Sequence, residues 1–240
     1  INQLQDGIDY INKSIKLKET HEAFRELGWA YYKSEKYDEA STAFNNSIRI
    51  KEDWKSFHGL GKSLFQLKKY PESILMMRYS IGLRPKAWQA YRTLGWALYR
   101  TKEYLEAIDI FLESIDMKHN SYTYLGLGCT YLMLKEYDLA IRSLEKSAQL
   151  EENWRAYYKL GMTFMEQGQQ PKAIDSFRKS IRLKEHCRTY EYLGLALAEN
   201  NQVEESQTIM AMSNALKVKK KISSNLVLEA GGKIIASMTK

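Results

Sequence analysis

Residues 180–199 read SIRLKEHCRTYEYLGLALAE. The opening phrase is one of seven. Ser14 begins SIKLKE, Ser47 begins SIRIKE, Ser80 begins SIGLRP, Ser114 begins SIDMKH, Ser147 begins SAQLEE and Ser213 begins a degenerate SNALKV. Successive serines lie 33, 33, 34, 33, 33 and 33 residues apart. An independent series, Gly28, Gly61, Gly95, Gly128, Gly161 and Gly194, is spaced 33, 34, 33, 33 and 33. Both series put one extra residue between Ser80 and Gly95, in the stretch LRPKAW around Pro85. A loop accepts an added residue, whereas a packed helix would have its apolar face rotated by one. A fixed period of this size marks an array of structural repeats.

Each repeat holds two helical patterns. In WQAYRTLGWALYRT, from Trp88, the residues Tyr91, Leu94, Gly95 and Leu98 recur at three- and four-residue spacing. That is the apolar stripe of an amphipathic helix. After a short polar turn, LEAIDIFLESIDM carries Ala107, Ile108, Phe111, Ser114 and Ile115 on the same period. Two helices per repeat and no strand signal predict an all-α solenoid. Gly95 and Ala107 are expected where the two backbones cross closely, with Tyr91, Leu98 and Phe111 filling the space beside the crossing. The same set returns as Phe24, Gly28, Tyr31, Ala40 and Phe44, and as Tyr157, Gly161, Phe164, Ala173 and Phe177. Glycine inside a helix costs about 0.5–1 kcal/mol relative to alanine. Its return at one phase therefore implies a steric requirement.

The chain has 240 residues with 36 Lys+Arg against 29 Asp+Glu, a net charge of +7. This basic excess is spread along the chain, permits an anionic partner and does not demand one. Only 3 prolines are present, which argues against a turn-rich β fold. Cys129 and Cys187 make no disulfide framework, so a reduced, intracellular, cytoplasmic setting is expected. No apolar run approaches the roughly 20 residues of a membrane span. The sequence begins at Ile1, and a fragment of a longer array is expected.

The Leu-Gly pairs at 27–28, 60–61, 94–95, 127–128, 160–161 and 193–194 carry a family resemblance. So do Ala40, Ala107, Ala140 and Ala173, the following aromatics and the late small residue occupied by the serines. The pattern resembles the tetratricopeptide repeat over residues 1–219. It departs from the family in its 33-residue period, in Ser73 and Ser206 at the alanine phase, and in a terminal proline found only as Pro85. The resemblance implies a right-handed α-α superhelix of about six full repeats, at 21–53, 54–87, 88–120, 121–153, 154–186 and 187–219. Residues 1–20 supply the second helix of an incomplete repeat. Residues 220–240 are expected to form a capping helix, N-capped by Ser223 or Ser224 and weakened at Gly231-Gly232, or to begin a further region.

Catalytic constellations are poor. His21, His58, His119 and His186 have no metal-ligand spacing, and Glu185-His186-Cys187 lacks supporting ligands. Every repeat glycine lies within a helical pattern, so no phosphate-cradling loop is present. A non-catalytic protein without cofactor or metal is expected.

The resemblance also implies a concave groove lined by the first helix of each repeat. Its phases give Arg25, Trp29, Tyr32 and Lys33, then Lys55, His58, Lys62 and Phe65. The next repeats give Gln89, Arg92, Trp96, Tyr99 and Arg100, then Tyr122, Leu125, Cys129, Leu132 and Met133. Arg155, Tyr158, Met162, Met165 and Glu166 follow, and Arg188, Glu191 and Leu195 close the strip. The first half is basic and aromatic and the middle is apolar, a composition that anchors interfaces. The expected ligand is a protein or peptide segment with an acidic stretch and an apolar anchor. Joint substitution of Trp29, Arg92 and Trp96 is expected to abolish capture without loss of stability. The carboxylate-clamp specialisation is disfavoured, because its asparagine phase holds Trp29, Lys62, Trp96, Cys129, Met162 and Leu195. Two rival functions carry weight: the repeat region of a larger enzyme such as a transferase, and nucleic-acid binding through the aromatics and Lys219-Lys220-Lys221. Nucleic acid is the less expected partner, a membrane is not expected, and self-association through the array ends is a further mode.

Finally, the serine of each phrase is expected to bond the carbonyl one turn earlier. The Lys-Glu pair after it is expected to mark an exposed helix end.

Overall fold

The computed structural model describes the backbone of residues 2–238 and the side chains of residues 5–219, 221 and 222. Among the described residues, helices and short loops make up the whole chain. Two compact units are present. Unit 1, Ile1–Leu134, contains α1 (Asn2–Leu17), α2 (His21–Lys33), α3 (Tyr37–Ile50), α4 (Trp54–Gln66), α5 (Tyr70–Leu83), α6 (Trp88–Thr101), α7 (Tyr104–Met117) and α8 (Ser121–Met133). Unit 2, Lys135–Lys240, contains α9 (Tyr137–Leu150), α10 (Trp154–Glu166), α11 (Gln170–Leu183), α12 (Cys187–Glu199) and α13 (Val203–Met238). Within each unit every helix packs on the one before it. The leading helices also touch one another, α2 on α4, α4 on α6 and α6 on α8 in unit 1, and α10 on α12 in unit 2. They form a continuous wall in each unit.

Local chemistry sets the helix ends. Thr20, Asp53, Asn120 and Asn153 cap α2, α4, α8 and α10 by accepting backbone N–H bonds from the first turn. The loops before α4 and α8 are residues 51–53 and 118–120, whereas residues 84–87 separate α5 from α6. The inserted residue therefore lies in a loop, closed by a 3.1 Å bond from the Ala87 N–H to the Arg84 carbonyl. Inside the helix pairs the chain turns through one left-handed residue, Glu35, Lys68, Lys102, Gly168 or Asn201. Glycine adopts that conformation freely and lysine does not. Only the α10–α11 turn, at Gly168, uses it.

Ala40, Ala107, Ala140 and Ala173 are fully buried, as a helix crossing requires. Ser73 and Ser206 hold the same phase and donate to the carbonyls of Gly61 and Gly194, at 2.8 and 2.7 Å. The buried hydroxyl thus meets an acceptor on the helix it crosses. The glycines answer to a different neighbour from the expected backbone. A Cβ on Gly28, Gly95 or Gly161 would lie 2.7, 2.7 or 2.5 Å from the rings of Phe44, Phe111 or Phe177 on the paired trailing helix. Two further glycines, Gly59 and Gly126, face the same rings from the next leading helix, where a Cβ would lie 2.3 Å from Phe44 and 2.4 Å from Phe111. Each of these two rings is clasped between two glycines. Phe177 has Gly161 on one side and stacks on Tyr192, centroids 6.0 Å apart, on the other. Gly61 and Gly194 face the side chains of Met77 and Met210, and Gly128 is buried in α8.

The recurring serine does not bond its own helix. Ser47, Ser80, Ser114, Ser180 and Ser213 donate to the carbonyls of His21, Trp54, Trp88, Trp154 and Cys187, at 2.7, 2.8, 3.1, 2.8 and 2.9 Å. Each acceptor is the first residue of the leading helix of the same pair. Ser14 is exposed. The basic residue four places later is also engaged. Arg84, Lys118 and Lys184 lie 4.4, 4.7 and 5.4 Å from the ring centroids of Trp54, Trp88 and Trp154. A cation on an indole face at such an exposed site is worth about 0.5–1 kcal/mol. At Ser80, Ser114 and Ser180 the phrase is therefore a double staple, one hydrogen bond and one cation on the same tryptophan.

At the end of the chain residues 220–238 continue α13 rather than beginning a helix of their own. Helix α13 runs through Ser223, Ser224, Gly231 and Gly232 without a break. No helix starts at the serines, so neither residue is an N-cap. The side chains beyond Ile222, and with them the proposed covering of the last helix pair, lie outside the described residues.

Candidate functional site

The wall of unit 1 is built from the faces of α2, α4, α6 and α8. Trp29 and Trp96 stand at equivalent places on α2 and α6. Each meets the buried phenylalanine of its trailing helix edge to face, Trp29 on Phe44 at 5.1 Å and Trp96 on Phe111 at 5.8 Å. Both indoles are half-buried and are core supports as well as wall. Joint substitution of Trp29, Arg92 and Trp96 would therefore strip packing from two cores, and the expectation that stability survives does not hold.

Beside Trp96 lies a cavity of about 210 Å³ lined by Tyr32, Lys62, Phe65, Gln66, Arg92, Thr93, Trp96 and Tyr122. Lys62 is held by rings, its Nζ 4.6 Å from the Tyr32 centroid and 5.4 Å from that of Trp29. Arg92 is held likewise, its Cζ 5.0 Å from the Trp88 centroid and 5.9 Å from Tyr122. Arg92 Nη1 also lies 3.5 Å from Asn120 Oδ1. Among the described residues no carboxylate pairs with either cation. Burial first, and then the charge of Arg92, hold the Lys62 ammonium below its ordinary pKa. Burial also lowers the Arg92 guanidinium. Tyr99, on the next turn of α6, is pushed up to about 12 by burial.

His58 sits behind this pair rather than on the surface. It is 8% exposed, and its Nε2 has no hydrogen-bond partner among the described residues. Burial, then Lys62, then Arg92 lower its pKa to about 3, so the ring is neutral at ordinary pH. His58 contributes no accessible face to the wall, because its ring is turned in toward Trp29, 6.0 Å away. Leu125 and Cys129 are withdrawn in the same way, 3% and 4% exposed. Their phase on α8 points into the packing between leading helices. The expected apolar middle thus reduces in unit 1 to half-buried Leu132 and exposed Met133 at the end of α8.

The other expected wall residues divide by exposure. Arg25 is committed to ion pairs with Glu26 and Asp53, at 3.4 and 3.8 Å. Lys33, Lys55 and Arg100 are exposed, with Lys55 5.9 Å from the Trp54 ring centroid and Arg100 5.0 Å from that of Tyr70. Phe65 meets Tyr70 edge to face. Sequence phase did not single out Gln66, Thr93 and Asn120. Asn120 is the cap of α8, and only its position in space brings it to Arg92.

In unit 2 the wall of α10 and α12 is aromatic and sulfur-rich. Tyr158 meets Tyr192 edge to face at 5.7 Å, and half-buried Met162 and Met165 lie on the same helix. Burial pushes Tyr158 up to about 12. Leu195 is exposed. A larger depression of about 770 Å³ lies at α9–α11, lined by charges of both signs among which Lys179 and Asp175 already pair at 2.7 Å. Glu145, Glu152 and Lys172 line it as well. Among the described residues no group of three His, Cys, Asp or Glu could hold a metal ion, and no helix is long and apolar enough to cross a membrane.

Two family models, both of the tetratricopeptide repeat, match the sequence, one over residues 58–120 and one over 22–53, 121–153 and 155–187. No curated protein matches. Several solved structures are similar. A chain of the APC/C hetero-tetramer Cut9–Hcn1 aligns over 82% of this chain with 19% identity and a TM-score of 0.73, and this chain spans 40% of its length. MamA aligns over 68% of this chain and 96% of its own, with 22% identity and a TM-score of 0.62. YrrB, described as a TPR protein with an unusual peptide-binding site, aligns over 75% and 99%, with 21% identity and a TM-score of 0.58. At these identities the likeness is one of fold.

Proposed function

Because this chain belongs to the tetratricopeptide repeat family, whose fold serves in general as a protein-interaction scaffold, we propose that it is a non-catalytic scaffold capturing a partner segment on its leading-helix walls. The partner is a protein or peptide with an acidic stretch and an apolar anchor. The observation that carries this is the pair Lys62 and Arg92, half-buried, held by aromatic rings and without a carboxylate of the described chain beside them. Tyr122 and Met133, 46% and 49% exposed, offer apolar surface on the neighbouring α8. Aromatic and arginine side chains dominate binding energy at interfaces, and methionine adapts to varied apolar partners. No cofactor enters this role.

Affinity capture from a cell extract, read by mass spectrometry, tests the proposal when run beside an Arg92→Ala, Tyr122→Ala, Met133→Ala variant. These three positions avoid the indoles that support the core. Proteins retained by the wild type and lost by the variant, at unchanged helicity, are the expected result. Retention of the same set by both sinks it.

A further inference from the structure

Several exposed cations of the fold are paired: Arg78 with Glu106, Arg178 with Glu205 at 2.6 Å, and Lys217 with Glu191. At Lys62 and Arg92 it withdraws two cations from water, sets them on the same cavity and provides no carboxylate among the described residues. Burying charge without a counter-charge is unfavourable unless the missing anion arrives with a ligand. Each cation is also pre-positioned. The rings of Trp29 and Tyr32 hold the Lys62 ammonium, and those of Trp88 and Tyr122 hold the Arg92 guanidinium. A ring on the face of a guanidinium leaves its in-plane N–H donors free, and a ring on one side of an ammonium leaves the N–H groups on the other. Asn120 Oδ1 accepts only one of them, at 3.5 Å.

The charge count selects the anion. A carboxylate brings one negative charge and two oxygens. A phosphoryl monoester brings about −1.5 to −2 near neutral pH and three acceptor oxygens. The planar fork of arginine engages two of those oxygens, while lysine acts as a point charge on the third. The cavity, about 210 Å³, exceeds what a carboxylate fills, and Phe65, Trp96 and Tyr122 line it with ring surface for a carbon stem.

We infer that the cavity between Lys62 and Arg92 is a receptor for a phosphoryl group carried on a side chain of the partner segment. This rests on the partner-capture proposal and names the chemistry selected by its unit 1 wall.

The test uses the intact chain and small probes, independent of any natural partner. Phenyl phosphate and benzoate are titrated separately at constant ionic strength. The indole N–H signals of Trp29 and Trp96 are followed by nitrogen–proton NMR, assigned with single Trp→Phe variants. Phenyl phosphate should shift both signals saturably and bind at least about tenfold tighter than benzoate, a difference of one charge-assisted contact. Lys62→Met and Arg92→Gln should each weaken it about tenfold or more by the same reasoning, and exposed Arg155→Met in unit 2 should leave it unchanged. Equal affinity for benzoate overturns the inference. So do wild-type affinity in Lys62→Met or Arg92→Gln, and shifts confined to other tryptophans. Failure here combined with partner loss in the Arg92, Tyr122, Met133 variant removes the phosphoryl specificity and leaves partner capture standing.

Discussion

The hydroxyl of Ser80 donates to the carbonyl oxygen of Trp54, 2.8 Å away and 26 residues earlier in the chain. The bond ties the last turn of a trailing helix to the first residue of its leading helix. Ser80→Ala should cost about 1 kcal/mol, the net worth of a neutral hydrogen bond. Ser14 has the same sequence phase but is exposed, so Ser14→Ala should fall within about 0.5 kcal/mol of wild type. Urea unfolding followed by circular dichroism compares the two. Equal losses would show that the serine acts through helix propensity alone.

Gly59→Ala sets a Cβ 2.3 Å from the buried ring of Phe44. The methyl group improves helix propensity by about 0.5–1 kcal/mol, but overpacking costs about 1–3 kcal/mol, so the clash wins. Phe44→Leu in the same chain removes the ring and should recover part of the loss. The pair should show a coupling of about 0.5–3 kcal/mol in a double-mutant cycle. Strict additivity would mean that the ring and the glycine do not determine each other.

His58 makes stability depend on pH. Its folded pKa, about 3, lies below the ordinary histidine value of 6.5, so between these values the unfolded chain binds the extra proton. Its contribution is complete above pH 6.5 and declines as pH falls toward 3. By pH 4.5 the loss amounts to about 2–3 kcal/mol by linkage. The fall in unfolding free energy from urea titration between pH 7.5 and pH 4.5 should shrink by that amount in His58→Leu. An unchanged slope in the variant would mean that other groups set it.

The two cysteines should differ in reactivity. Cys129 is 4% exposed and Cys187 is half-buried at the start of α12. With a chromogenic disulfide reagent, the native chain should release one equivalent quickly and the second only in denaturant. Two fast equivalents would place Cys129 back on the open wall.

The repeat itself was legible in the sequence because packing at a helix crossing leaves a narrow choice of residue. Gly95, Ala107 and Ser114 recur in phase because nothing larger fits where their helices meet. The two-helix pattern and the loop position of the inserted residue followed from periodicity, a local property of the chain. The neighbour of each small residue did not. Gly59 and Gly126 repeat only where a phenylalanine precedes them in space, and that dependence between helices is invisible to a single-helix pattern.

The candidate site was legible in composition and less so in membership. Lys62, Arg92 and Tyr122 lie on the wall that their phase indicated, while His58, Leu125 and Cys129 share that phase and are buried. A helical phase gives a direction from one axis. How far the next helix covers that direction depends on the side chains at their crossing. The sequence by itself thus determined the array, its period and the small residues that permit it. Only the tertiary structure decided that the serines staple helix to helix, that the lysines after them rest on indoles, and that two cations meet in one cavity without a carboxylate. Each of these joins residues some thirty positions apart, a distance that packing closes.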